Sequence, residues 1–267
     1  MFKKITIIAS GLILCVAFIS GCSSSEIDPA TSGSAGETTK VDQIKETGKL
    51  ILATSADYPP FETHTIEGDS DQITGWDIDL ANKIAEALSV ELEIKDMSFD
   101  AILTALGSGQ ADLAIAGFGQ TPERDQSFDP SKPYYTTTNV MLVQAGKESS
   151  YPDLASFAGK KIGAQEATVQ ADLVAQYLPD SEATVVKSIP NLVLSLKSGK
   201  IDGLLLDSPV ASDYINANSD LAAAPAKFDM AEAQEPKVIY VQKNQPGWID
   251  FINSVIEEQA QSIYPAL

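Results

Sequence analysis

Apolar residues follow two rhythms along this chain. Leu80, Ile84 and Leu88 recur at fourfold spacing behind Asp77 and Asp79, either of which is placed to cap a helix. Ile249, Ile252, Val255 and Ile256 mark a last helix. Short apolar runs bounded by glycine read instead as buried strands. Leu106-Gly107-Ser108-Gly109-Gln110-Ala111-Asp112 leads into the run from Leu113 to Ala116, then Gly117. Ninety residues on, Leu196-Lys197-Ser198-Gly199-Lys200-Ile201-Asp202 leads through Gly203 to Leu206, then Asp207. Each is a helix end, a glycine stop and a strand. Upstream, Gly48-Lys49 precedes the strand-like Leu50 to Thr54, and Gly159-Lys160 precedes Lys161 to Ala164. The repeat predicts two lobes on one plan, with open, largely parallel α/β sheets. Ligands of such sheets lie beyond the carboxyl ends of the strands. That rule selects Ser55 to Phe61, Gly117 to Arg124, Gln165 to Gln170, and Asp207 as the walls of one cleft.

The start of the chain changes the picture of where this body works. Lys3 and Lys4 precede an apolar run from Ile5 to Ile19, and Ser20-Gly21-Cys22 closes it. This has the form of an export signal and is short for a membrane span. Ile19-Ser20-Gly21-Cys22 also resembles a lipobox, in which cleavage leaves Cys22 as a lipidated first residue. Residues 1–21 then form a lipoprotein signal peptide, and 22–40, rich in Ser, Thr, Gly and Ala, a flexible tether. Cys15 leaves with the signal, so no thiol remains for a disulfide or a nucleophile. The net charge of −19 over 267 residues excludes a nucleic-acid partner, whose phosphates need a basic footprint.

Thr121-Pro122-Glu123-Arg124 reads as a helix start with Thr as cap. Behind the bare amides of Gly117 and Gly119, the Arg124 guanidinium suits a carboxylate, which it grips through two parallel bonds. The alternative pairs Arg124 with Asp125 or Asp129 on the surface. Asp207 ends an apolar strand, where it would hold an ammonium group or merely cap the next helix. One lobe thus offers an anion site and the other a carboxylate, the layout a zwitterion needs. Tyr58 and Phe61, in a loop stiffened by Pro59 and Pro60, and Phe99 offer aromatic surface to a ligand or to the core. His64 is the sole histidine and reads as a loop residue, so no Ser-His-Asp set assembles. Asp69 and Asp71 lack the spaced ligands of a calcium loop. No metal or cofactor is expected.

Thr54-Ser55-Ala56-Asp57-Tyr58-Pro59-Pro60-Phe61-Glu62, Gly75-Trp76-Asp77-Ile78-Asp79-Leu80 and Ala116-Gly117-Phe118-Gly119-Gln120-Thr121-Pro122-Glu123-Arg124 appear in that order. Ser131-Lys132-Pro133-Tyr134-Tyr135 and Ser198-Gly199-Lys200-Ile201-Asp202 follow. Together they resemble bacterial extracellular solute-binding family 3, the polar amino-acid receptors of ATP-binding-cassette importers. The resemblance implies a two-lobed, periplasmic-binding-protein-like fold of type II. Each lobe is then an open mixed sheet with flanking helices, and two hinge strands join them. Residues 41–137 form the first part of lobe 1, 138–227 lobe 2, and 228–267 the return to lobe 1.

It further implies that Arg124 and the Gly117 amide hold the α-carboxylate and Asp207 the α-ammonium. Tyr58 and Phe99 flank the side chain, Thr168 adds a hydroxyl, and Ser55 and Gly119 complete the lining. The acids of Gly75 to Leu80 begin a helix without touching ligand. Gly119 stands where many relatives carry Ser or Thr, and Ser55 where binders of basic amino acids often have Asp. With Leu206, Gln165 and Phe99, this favours a neutral or weakly polar amino acid. The implied partners are that ligand and a permease in the membrane, the receptor being a lipid-anchored, extracytoplasmic monomer. Two rivals share the fold: a cyclohexadienyl dehydratase-like enzyme, for which Glu166 is the one acid to nominate, and a ligand-sensing module.

Overall fold

The computed structural model describes residues 38–228 and 234–265, so the expected signal, Cys22 and most of the tether lie outside the described residues. The body opens with α1 (Lys40–Thr47), whose first turn is closed reciprocally by Thr39 and Asp42. There follow β1 (Lys49–Thr54), β2 (Asp57–Tyr58), β3 (Glu62–Glu67), β4 (Ser70–Thr74), α2 (Trp76–Leu88) and β5 (Glu91–Asp96). Next come α3 (Phe99–Gly107), β6 (Leu113–Ala114), α4 (Pro122–Ser127) and β7 (Phe128–Pro130). β8 (Tyr135–Thr137) leads out to β9 (Asn139–Gln144), β10 (Lys161–Gln165), α5 (Val169–Tyr177) and β11 (Glu182–Val186). α6 (Ile189–Lys197), β12 (Gly203–Asp207), α7 (Ser208–Ala217) and β13 (Leu221–Ala223) complete that part. β14 (Glu235–Lys237) returns to β15 (Tyr240–Gln242) and α8 (Pro246–Ile263).

Two five-stranded sheets result, in the orders β5-β1-β6-β15-β7 and β11-β10-β12-β9-β13. In each, three parallel strands are followed by an antiparallel one. β8 and β14 cross between them as an antiparallel pair, with Thr137 opposite Glu235 and Tyr135 opposite Lys237. Alternation along β1 sends Leu50 and Leu52 to the core with Ile84, Ile252 and Trp248, and Ala53 to that with Ile102 and Leu106. Helices thus cover both faces of the first sheet, as a sheet buried on both sides requires.

The sequence repeat is a repeated hydrogen-bond device. Gly109 and Gly199 both take left-handed φ, +75° and +71°, turning the chain out of α3 and α6. The Asp112 amide then donates to Ile51 O (2.8 Å), while its carboxylate accepts from Ile51 N (2.8 Å). The Asp202 amide and carboxylate do the same to Lys161, at 2.7 and 2.9 Å. Each aspartate fastens its strand to the neighbouring parallel one. Asp112→Ala and Asp202→Ala are each expected to cost about 1–3 kcal/mol in urea unfolding, since a backbone donor loses its acceptor. Asp112 should be the more costly, because it also pairs with Lys40 at 2.6 Å.

Two expectations are corrected. The cap of α2 is Gly75 rather than Asp77 or Asp79, and no side chain closes that end. The Asp77 carboxylate turns inward instead. His64 lies on β3, not in a loop, because β3 and β4 form a hairpin with His64 opposite Ile73. Its ring contacts Asp71 (3.0 Å) and Asp96 (3.1 Å).

Candidate functional site

The strand ends of both lobes meet around a narrow cavity with about 10 Å³ of free volume. Its wall includes Ser55, Tyr58, Phe99, Gly117, Gly119, Arg124, Thr168 and Asp207, the eight residues that the resemblance assigns to a ligand. Asp57, Glu62, Gln170 and Glu235 line it as well. Glu166, the acid nominated for an enzyme, is exposed and outside the lining. Leu206 is core and also outside it.

On the first lobe, Thr121 caps α4 by accepting from Arg124 N at 3.2 Å. That cap aims the Arg124 side chain back across the cleft. Its guanidinium lies over the Phe118 ring (5.2 Å) and the Phe99 ring (5.7 Å), which are themselves tilted together at 4.6 Å. It donates to Gly119 O and, across the lobes, to Ala167 O at 2.8 Å. The surface alternative is not realised: Asp125 takes Gln120 and Tyr240, and Asp129 takes Lys243. Burial pulls the Arg124 pKa down, against the pull of nearby acidic groups, Glu235 among them.

The Gly117 amide corrects an expectation. It donates to Asp77 Oδ2 at 2.8 Å and so is already taken. Asp77 also accepts from Tyr134 (2.9 Å) and Tyr264 (2.8 Å). This fully buried carboxylate holds the start of α2, the end of β6 and the end of α8 together. Gly117 has φ +54° and faces the Tyr58 ring, which a Cβ would meet at 3.2 Å. The glycine is there for the ring to lie close.

On the second lobe, Asp207 begins α7 without capping it, and its carboxylate is fully buried. Oδ2 accepts from Tyr58 Oη (2.7 Å) and Lys237 Nζ (2.7 Å); Oδ1 accepts from Thr137 (2.6 Å) and Gln170 (3.3 Å). Lys237 also donates to Glu235 Oε1 at 2.6 Å, and Gln170 to Glu235 Oε2 at 2.9 Å. Glu235 and Lys237 are two apart on β14 and so share one face. Burial works to lower the Lys237 pKa, and the Asp207 and Glu235 charges outweigh it, leaving the ammonium firmly charged. Burial and then Asp207 push the Glu235 carboxyl up. Glu235 fills the space beside Gly119, where a Cβ would stand 2.1 Å from its Oε1. A serine or threonine at 119 would have to displace the Glu235 side chain.

The remaining lining is less free than expected. The Thr168 hydroxyl caps α5 by accepting from Ala171 N, and donates to Gln165 O at 2.7 Å. Ser55 donates to Asp57 at 3.3 Å, and Asp57 accepts from Ile189 N across the lobes at 3.1 Å. Burial is the main cause lifting the Asp57 carboxyl above its ordinary value. Glu62 is fully buried, and its oxygens meet no donor among the described residues. Burial, then the charge of Asp77, holds its carboxyl well above the carboxylate range. On sequence Gln170 is only the end of a cleft wall and Glu62 only the end of a motif, and neither Glu235 nor Lys237 is singled out. The one signal for the last two was alternation on a strand facing Asp207, a carboxylate already judged to need a partner.

The sequence pattern of the bacterial extracellular solute-binding proteins, family 3, matches residues 50–264, from β1 to the end of α8. The chain belongs to that family. It is 36% identical over 175 residues to the arginine-binding extracellular protein ArtP of Bacillus subtilis, covering 65% of this chain and 66% of that relative. A crystal structure of an amino acid ABC transporter substrate-binding protein from Streptococcus pneumoniae bound to L-arginine superposes with a TM-score of 0.81. It is 38% identical, covering 84% of this chain and 95% of that one. The ancestral amino-acid-binding protein AncCDT-1, described as a precursor of cyclohexadienyl dehydratase, gives 0.76 at 27% identity, over 82% and 93% of the two chains. The fold is the type II periplasmic-binding-protein fold, and the close relatives of the chain are substrate-binding proteins rather than enzymes. Among the described residues no helix is long and apolar enough to cross a membrane.

Proposed function

We propose that this family 3 protein captures a free amino acid between its lobes and delivers it to an ATP-binding-cassette importer. It acts as a monomer tethered outside the cell through lipid on Cys22. The observation that carries the reading is that Arg124 of one lobe and Asp207 of the other line a single small cavity. A guanidinium and a carboxylate across a gap match the two charges of an α-amino acid. Ligand that bridges them favours the form with the lobes together.

The neutral or weakly polar side chain expected from sequence gives way in this reading to a basic one. Among the described residues, Asp57, Glu62, Asp207 and Glu235 line the cavity with one cation, Arg124, and Lys237 lies behind them. A zwitterion adds no net charge, so a further cation on the ligand relieves the surplus of acid. The named relatives ArtP and the Streptococcus pneumoniae protein point the same way. Isothermal titration with a panel of amino acids tests the reading, L-arginine being expected tightest. A preference for L-glutamine restores the neutral reading, and no heat with any member removes amino-acid capture.

The raised carboxyls give this a pH signature. Burial holds Asp57 and Glu62 above their ordinary pKa values, and a cation beside them pulls those values down. Binding of a basic amino acid therefore releases protons. Affinity should rise with pH from the ordinary carboxylate range through the raised values and level off above them. Titration in two buffers of different ionisation enthalpy reads the released protons directly. Affinity that falls with rising pH contradicts the assignment.

A further inference from the structure

Asp207 already holds an ammonium group of the protein's own. Lys237 Nζ lies 2.7 Å from Asp207 Oδ2 and 2.6 Å from Glu235 Oε1, with all three residues buried. The lysine comes from β14, a crossing strand, and its partner Glu235 comes from the same strand face. Lys237 therefore keeps one carboxylate whatever happens at the other. A flexible four-carbon stem allows Nζ to leave Asp207 for Glu235 by rotation of its last bonds.

We propose that Lys237 is a tethered stand-in for the α-ammonium of the ligand. With an amino acid in the cleft, Lys237 rests on Glu235 and the ligand's ammonium takes Asp207 Oδ2. With a carboxylic acid that lacks the amine, Lys237 stays on Asp207 while Arg124 holds the carboxylate. The pocket then accepts a second class of ligand, acids without an α-ammonium group. The physical ground is the cost of an unpaired buried charge. In a pocket whose aspartate has no other cation, a des-amino ligand strands that carboxylate. Here the replacement cation is attached to the chain and pays no association entropy. The inference deepens amino-acid capture and rests on it.

The test is a four-way titration of L-arginine and des-amino-arginine, each against wild type and the double variant Glu235→Gln/Lys237→Met. The double variant removes one cation and one anion together, which leaves the net formal charge of the cluster unchanged. Wild type should favour L-arginine by less than about tenfold, and the double variant by about 100-fold or more, the loss expected of a stranded buried carboxylate. A preference of 100-fold in wild type overturns the inference and leaves amino-acid capture standing. An equal preference in both proteins overturns it likewise. Should the variant fail to melt cooperatively, the wild-type ratio decides alone. If no amino acid binds wild type, both readings fall.

Discussion

Arg124→Ala should weaken amino-acid binding by at least about 100-fold, the cost of leaving a buried carboxylate without its cation. Among the described residues Arg124 is the one cation lining the cavity, and four carboxyl-bearing residues line it too. Without the guanidinium, an incoming carboxylate has no cation in the cavity wall to meet it. Arg124→Lys should recover only part of the loss, because an ammonium makes no paired, planar contact and stacks less well over Phe99 and Phe118. The same substitution removes the bond to Ala167 O across the lobes. A modest loss of thermal stability, about 1 kcal/mol, should accompany the binding defect. Titration calorimetry on variants shown to fold by circular dichroism separates the two effects. An alanine variant that binds as tightly as wild type would move the carboxylate site elsewhere.

The polar framework of this cleft was legible in part because it sits at places where the chain pattern itself changes. Arg124 follows a Thr-Pro helix start, and Asp207 ends an uninterrupted apolar strand before a proline. Both signals are local. The repeated Gly-x-x-Asp stops were legible for the same reason, since each aspartate bonds a strand that its own turn delivers. Glu235-Pro236-Lys237 gave no such signal. It is three residues of strand whose burial is decided by β8 and by residues 118–120, far away in sequence. The β3–β4 hairpin was missed for the opposite reason. It projects with most of its side chains half-buried or exposed, so no apolar alternation marks it. His64 reads as loop because the nearby apolar residues, Ile66 and Ile73, stand singly among polar ones.

Gly117 shows a third limit. Its position was legible and its partner was not, because the acid that takes its amide comes from α2, forty residues earlier. The Gly-Trp-Asp segment is thus structural, and through Gly117 it shapes the floor under Tyr58. That segment also explains why Asp77 need not touch ligand to matter for binding.

Gly75→Ala should be the most damaging single methyl group in the protein. Gly75 has φ +134°, outside the range open to L-residues, and it begins α2. A Cβ there would stand 2.3 Å from Phe61 O, 2.7 Å from Phe61 C and 2.8 Å from Pro60 O. These are backbone atoms, so no rotamer change relieves the contact. The same loop is pinned to the helix start by Trp76 N to Pro60 O (3.0 Å) and Asp77 N to Phe61 O (2.9 Å). Forcing it away breaks both bonds, disturbs the stack of Phe61 on Tyr58 (5.9 Å) and so reaches the cleft. The expected cost is about 3 kcal/mol or more, roughly 10 °C in Tm for a body of this size. Gly68→Ala is the matched control: φ is +64° and nothing lies within 4 Å of its Cβ, so only backbone strain of about 1–2 kcal/mol applies. Differential scanning calorimetry of the two variants separates clash from strain. Equal losses would mean that the loop from Pro60 to Phe61 yields freely, and Tyr58 would then be held over Asp207 by something other than the start of α2.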